Sequence, residues 1–378
     1  MVILTLDESM KDSQKALTIP EEYVVKPVTP DHLEKAIEIW SLSFGFVDFE
    51  RWKVFYETML DQTFGTYHKG DLVCLAGITH FQMWLGDRLV PCGGIAAVAS
   101  DPSYRRRGLM RLAIASCLQA LHDMRVPISS LWPFSYPFYG RMGFAVSDFR
   151  YEVEANARVI PDVGDSRNYR RLSLDDWVEL KPIHDRWIEK SNLSIKRNEV
   201  QWRRLLHHPH RDSYVFKHER GYIILNARNP QQRTLEIVEW AWLDQGALLD
   251  GLSLLRRMQD LHFDKVQFVC PDVDPIMAIG VTDPPFTIQK RPGVMSRVVH
   301  TEAFLEAVGA DEPIFVDDPL GVSQPYGIVD GEELDVFRVD PGRLVQYVTG
   351  TFKERPAAVP ESLYGICAGK PAFTVEFF

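Results

Sequence analysis

Leu33, Ile37, Trp40 and Phe44 recur at spacings of three to four residues, which predicts an amphipathic helix over 29–44 with Thr29 as its N-cap. A second helix is expected at 49–60. From Asp71 the texture changes to short apolar runs, LVCLAGI, THFQMWL and RLVPCGGIAAVAS, divided by Gly77 and by the turn signal Gly86-Asp87. That pattern reads as an antiparallel meander. The helical period returns after Arg107, where Leu109, Leu112, Ala113, Ser116, Leu118 and Leu121 share a face, and Pro127 then precedes the apolar run 128–132. Strand, turn, helix, strand is the order of a right-handed crossover between parallel neighbours, so a mixed sheet is expected.

Residues 150–170 are polar, lack strong periodicity and read as a boundary. From about 170 the same order returns: helices over 174–190 and 198–207, strands over 214–226 and 235–242, a helix over 247–262 and a strand over 266–270. The stretch DPPFTIQKRPGV (283–294), rich in Pro and Gly, marks a further boundary. The 378 residues, enough for two or three domains, thus divide into 1–155, 156–290 and 291–378.

Composition narrows the chemistry. Acidic residues exceed basic ones by 52 to 42, a net charge of −10, which argues against a nucleic-acid or anionic-membrane binder and favours a cationic partner. Five dispersed cysteines without a C-x-x-C pair suggest neither a disulfide framework nor a zinc site. His207, His208 and His210 lack a ligand pattern and read as a solvated helix end, and no metal is expected. Tryptophans 187, 202, 240 and 242 read as core or subunit contacts. The first twenty residues hold no apolar signal core and no stretch suits a spanning helix, so a cytoplasmic protein is expected.

Two segments carry chemistry. In IAAVASDPSYRRRGLM (95–110) an apolar strand meets a polar turn, and Arg105-Arg106-Arg107-Gly108 opens a helix. A helix N-terminus exposes unpaired N–H groups and a positive dipole end, and three arginines strengthen that field, so the segment suits a diphosphate. The second, PFYGRMGF (137–144), follows after one helix and one strand.

The first segment resembles the Arg-x-x-Gly-x-Gly/Ala loop with which GNAT acetyltransferases hold the acetyl-CoA pyrophosphate, with Met110 in place of the small last residue. The second resembles their Y-x-x-x-GF element. With a degenerate second copy, EWAWLDQGALLDGLSLL (239–255), and the tail Glu376-Phe377-Phe378, the whole chain resembles the enhanced intracellular survival (Eis) family. That resemblance implies an α/β (α+β) protein: tandem GNAT-like mixed-sheet domains followed by a sterol-carrier-protein-like α+β domain. It also implies a homohexamer, acetyl-CoA as co-substrate, and N-acetylation of aminoglycosides, polyamines or lysine-like amines. Only one CoA site per chain is expected, because the second copy lacks the arginine loop.

Mapped onto this chain, the resemblance places Val98, Ala99 and Ser100 against the pantetheine and thioester oxygen. Arg106, Arg107, Gly108, Leu109, Met110 and Arg111 would cradle the pyrophosphate, with Phe134 and Ser135 along the pantetheine arm. Tyr139 is the candidate general acid, a phenol of pKa near 10 facing a thiol of about 8.5. The terminal carboxylate on Phe378 is the implied base, supported by the apolar alternation of AFTVEFF, which suits a docked strand. Asp48, Phe46 and Glu376, with Trp52, are candidates for the acceptor pocket. Two other readings remain open: a non-catalytic regulator that binds CoA or a cationic ligand, and lipid carriage by the last domain.

Overall fold

The computed structural model describes residues 20–45, 62–227, 233–258, 263–279, 286–327, 336–352 and 354–376. The helix expected at 49–60 lies outside them. Strand β1 (Tyr23–Pro27) leads into helix α1 (Leu33–Phe44), preceded by a single tight turn at Pro30–His32. Thr29 caps that turn without a side-chain bond to the backbone; its hydroxyl lies 2.9 Å from His32 Nδ1 instead. Next come β2 (Gln62–His68), β3 (Asp71–Leu85) and β4 (Arg88–Ser100), all antiparallel neighbours. Gly77 does not divide the meander but sits inside β3, opposite Ala96. Helix α2 (Leu109–Asp123) returns the chain to β5 (Ile128–Leu131), parallel to β4, and α3 (Tyr136–Gly140) leads to β6 (Ala145–Val146).

Helices cover both faces of this sheet. Ile37, Ile39 and Trp40 of α1 pack with Leu72, Leu75 and Ala97, while Leu112, Ile114, Cys117 and Leu121 of α2 pack with Val73, Ala76 and Ile95. Residues 72–79 are therefore buried throughout, which explains a continuous apolar run in place of alternation.

A second sheet begins at β7 (Phe149–Asn156), inside the stretch read as a boundary. Its charged Arg150, Glu152 and Glu154 alternate with Tyr151, Val153 and Ala155, of which Val153 and Ala155 are buried, so the strand period was present under a polar average. From β7 the chain continues through β8 (Arg170–Leu172), α4 (Lys181–Ile188), the two-residue β9 (Ile195–Lys196), which is not part of this sheet, α5 (Glu199–Leu206), β10 (Ser213–His218), β11 (Gly221–Asn226), β12 (Thr234–Trp242), α6 (Gln245–Arg257), β13 (Lys265–Cys270), α7 (Asp274–Met277) and β14 (Phe286–Pro292). The sheet order is β14-β7-β13-β12-β11-β10-β8. β12 and β13 are parallel across α6, which repeats the β4-α2-β5 crossover. Trp187, Trp202 and Trp240 are buried in this half.

β15 (Met295–Val298) then adds to the first sheet between β5 and β6, giving the path β1-β2-β3-β4-β5-β15-β6. Helix α8 (Thr301–Val308), the parallel pair β16 (Ile314–Val316) and β17 (Phe337–Val339), and α9 (Pro341–Val348) complete the order. The chain forms two compact units, one from the residues through Ser147 with Val294–Gly369, the other from Asp148–Gly293 with Lys370–Glu376. The breaks fall at 147/148 and 293/294 rather than after 155 and 290, because β7 and β14 are complete strands of the second sheet. All five cysteines are buried free thiols.

Candidate active site

The bonding of β4 to β5 stops early. Cys92–Ile95 pair with Ile128–Leu131, and β4 then runs on to Ser100 with only β3 as a partner among the described strands. Its ladder with β3 slips between Leu75 and Gly77, and Ala97 takes φ +50°. A left-handed alanine costs about 1–2 kcal/mol. Here the indole N–H of Trp40 donates to its carbonyl at 2.7 Å and offsets part of that strain. Val98, Ala99 and Ser100 consequently line an open strand edge where the two parallel strands diverge.

The loop beyond this edge is organised by Asp101, whose carboxylate accepts from Ser103 N–H at 2.9 Å. Arg106 has φ +64° and Gly108, the N-cap of α2, has φ +79° and offers no side-chain cap. The first-turn N–H groups of α2 are thus left for an external acceptor, with only Arg111 N–H drawn back to Gly108 O at 3.0 Å. Arg105, Arg106 and Arg107 are exposed around it. Arg107 lies over the Tyr104 ring and donates to Ser103 O at 3.1 Å. Arg111 instead donates to Pro319 O, and Leu109 is buried, so Leu109 can offer a ligand only its backbone. Met110 sits where the resembled loop has a small residue; it is half-buried against the core, with its sulfur 3.8 Å from Cys74 Sγ.

Tyr139 lies in α3, begun by an extended Ser135, and its carbonyl accepts from Met142 N–H at 2.9 Å and Phe144 N–H at 3.3 Å. Gly143, at φ +78°, closes the turn. The ring meets Phe138, Phe134 and Phe144 at centroid distances of 5.0, 5.2 and 6.2 Å. Phe134 itself is 71% exposed, an apolar surface beside the site. Burial pushes the Tyr139 hydroxyl above the ordinary phenol value. Proton transfer from a phenol above 10 to a free thiolate of about 8.5 is uphill by at least roughly 2 kcal/mol. Tyr139 therefore stays protonated at neutral pH, as a hydrogen-bond donor.

Two buried arginines and their carboxylate partners were not anticipated. Fully buried Arg297 donates to Met142 O at 2.5 Å and pairs with Asp318 at 2.5 Å. Asp318 also accepts from the N–H groups of Leu320, Val322 and Ser323 at 2.8–2.9 Å. This arginine secures the Tyr139 turn from behind; its signal in the sequence was a lone cation inside the apolar run 294–299. In the second unit Arg197, fully buried, pairs with Glu239 and with Glu376. Glu376 is thus committed to an internal partner, in place of the acceptor-attracting role expected of it. Burial and Arg197 together hold His184 down to about 3, so this histidine is neutral. Its Nδ1 lies 3.0 Å from Tyr222 Oη and its Nε2 3.1 Å from Ile195 O.

Phe46, Asp48, Trp52 and Phe378 lie outside the described residues. Residues leading to the terminus are docked, though by a single bridge between Ala372 and Asn192 rather than a full strand. Among the described residues no group of three His, Cys, Asp or Glu side chains is placed to hold a metal ion, and no helix is long and apolar enough to cross a membrane.

Residues 24–147 match the Acetyltransferase (GNAT) domain family. The chain is 24% identical over 241 residues to N-acetyltransferase Eis of Mycobacterium tuberculosis, covering 59% of each chain. It thus matches about 59% of the length of that curated relative. Among solved structures, a GCN5-related N-acetyltransferase from Anabaena variabilis superposes with a TM-score of 0.78 at 18% identity, covering 94% of this chain and 100% of the other. Eis1 from Mycobacterium abscessus gives 0.70 at 16% identity, covering 94% and 100%. An open β4 edge, a glycine-capped helix start ringed by arginines and a buried tyrosine turn all fall in the segment that matches the Acetyltransferase (GNAT) domain family, and the chain is similar in sequence to N-acetyltransferase Eis and in fold to Eis1.

Proposed function

We propose that this protein is an acetyl-CoA-dependent N-acetyltransferase acting on a primary amine of a cationic acceptor such as an aminoglycoside, a polyamine or a lysine-like amine. The observation that carries the reading is the open edge at Val98–Ser100 next to the uncapped start of α2. The edge offers backbone N–H groups to an extended amide-bearing arm and to a thioester oxygen. Arg106, Arg107 and the N–H groups of Gly108, Leu109 and Met110 offer an anion site at the positive end of a helix dipole, with Arg111 following them. Phe134 and Ser135 flank the same arm. Acetyl-CoA supplies the activated acetyl group. Tyr139 hydrogen-bonds the leaving sulfur, and the Phe378 carboxylate accepts the proton of the attacking amine. That last role follows from the family resemblance and is supported by the docked residues before it.

Asp48 and Phe46 remain the proposed acceptor contacts, consistent with the acidic balance of 52 to 42. A cytoplasmic location, a homohexamer and a sterol-carrier-like last module belong to the same reading.

Thiol release from acetyl-CoA, screened against aminoglycosides, polyamines and lysine derivatives, tests it. Acceptor-dependent turnover is expected. Thermal stabilisation by CoA without turnover with any amine would replace the enzyme by a binding protein of the same fold.

A further inference from the structure

Arg107, the residue before the glycine cap of α2, is held by aromatic side chains drawn from three parts of the first unit. Tyr23 of β1 and His68 of β2 are cross-strand partners whose ring centroids lie 5.2 Å apart. His68 Nδ1 is 3.0 Å from Tyr104 Oη, and those two rings meet at 5.5 Å. Tyr104 ends the tight turn Pro102–Tyr104 that Asp101 caps. The Arg107 guanidinium lies 5.0 Å over the Tyr104 ring, donates to Ser103 O at 3.1 Å and hydrogen-bonds the Tyr23 hydroxyl. Tyr23 and Leu109, the first residue of α2, share one apolar cluster, and Thr66 Oγ1 of β2 donates to Leu109 O at 3.3 Å. This aromatic bracket therefore stands beside the uncapped helix start.

These contacts orient the cation without neutralising it. Ser103 O and the Tyr23 hydroxyl engage part of a guanidinium that carries five N–H donors, and the Tyr104 ring covers one of its faces. Glu22, the carboxylate whose field reaches Arg107, lies 3.6 Å from His68 Nε2. Buried Arg297 and Arg197, by contrast, are matched by internal carboxylates. An exposed arginine samples many rotamers, and ordering one on a ligand costs about three- to tenfold in affinity. We propose that Tyr104, locked by His68, is a positioning residue for the cofactor: it holds the Arg107 guanidinium ready for a phosphate of acetyl-CoA before the cofactor arrives. The inference rests on the reading of the α2 start as the anion site.

A double-mutant cycle on the full chain tests it, with the Kd of acetyl-CoA from calorimetry as the readout and folding verified by circular dichroism. Arg107→Ala is expected to raise Kd about 10–100-fold at low salt and less at high salt. Tyr104→Leu is expected to raise Kd about three- to tenfold while Arg107 is present, and by no more than about twofold once Arg107 is alanine. Tyr104→Phe keeps the ring and its packing, and so serves if the leucine variant fails to fold. It loses only the hydroxyl that meets His68, and should raise Kd about threefold with the same dependence on Arg107. A Tyr104 effect of equal size in both backgrounds would overturn the inference, leaving Tyr104 as a structural part of the loop. Wild-type Kd in both Tyr104 variants, with Arg107→Ala impaired, would overturn it as well, because the arginine would then need no bracket. Wild-type Kd in Arg107→Ala would remove the arginine itself from the cofactor, and no binding of acetyl-CoA by the wild-type chain would remove the anion site on which the inference stands.

Discussion

Gly143 closes the turn that carries Tyr139, and two independent constraints meet on it. Its φ of +78° is left-handed, which costs a side-chain-bearing residue about 1–2 kcal/mol. A Cβ built there would also lie 2.8 Å from Pro341 Cγ, 3.2 Å from Arg297 Nη1 and 3.3 Å from Pro319 Cδ. The first contact is with a rigid ring in the opening turn of α9, so relief requires the helix or the turn to shift, an overpacking cost of roughly 1–3 kcal/mol. Gly143→Ala should therefore destabilise the first unit by roughly 2–5 kcal/mol, or about 4–20 °C in Tm for a unit of this size. Two other glycines calibrate the argument. Gly108 shares the left-handed φ but has nothing within 4 Å of its Cβ position, so Gly108→Ala should show the conformational cost alone, about 1–2 kcal/mol. Gly140 has neither constraint, and Gly140→Ala should be neutral or slightly stabilising, within about 1 kcal/mol. Urea unfolding followed by circular dichroism gives the three values. The reasoning fails if Gly143→Ala is no less stable than Gly108→Ala, or if Gly140→Ala is the worst of the three.

Tyr139→Phe keeps the aromatic cage but removes the donor; kcat should fall by about 10²–10³-fold with the KM for acetyl-CoA within roughly twofold, and an unchanged kcat removes Tyr139 from the chemistry. Arg106→Ala and Arg107→Ala each delete a potential charged hydrogen bond to phosphate, so the KM for acetyl-CoA should rise about 10–100-fold at low salt and less at high salt; a KM that ignores both substitutions contradicts the anion site. His184 is held down to about 3 by burial and by Arg197, so below pH 6.5 the unfolded chain takes up a proton that the fold refuses, and stability falls as pH falls. Between pH 6.5 and 5, above the carboxylate range, this single group should remove on the order of 1–2 kcal/mol. Urea titrations of wild type and His184→Gln over that window should differ by that amount; parallel curves would show that His184 titrates normally in the fold.

Much of the site was legible because its parts are contiguous in the chain. Strand, polar turn, arginines, Gly108 and helix follow one another in 95–123, and the tyrosine turn occupies 136–144. Local apolar period placed α1, α2 and the β3-β4 hairpin, since a helix or strand face is decided by neighbours two to four residues away. Where the average polarity of a segment masked that period, as at β7, a central strand was read as a boundary. Met110 departs from the resembled loop, and only its packing beside Cys74 shows how the larger side chain is taken up.

The amino-acid sequence by itself determined the strand-turn-helix-strand order of 71–132 and its repeat, and marked the candidate anion loop and tyrosine turn. Tertiary structure decided which sheet each later strand joins, so that β15 completes the first sheet while β7 and β14 belong to the second. It also decided the use of the buried charges: Arg197 meets Glu376 across 179 positions, and Arg297 meets Asp318 behind the Tyr139 turn. A charge can be recognised as destined for the interior from the apolar residues around it, but its partner is chosen by the topology that brings distant strands and the chain's end together, because a desolvated ion must find its counter-charge wherever the fold supplies one.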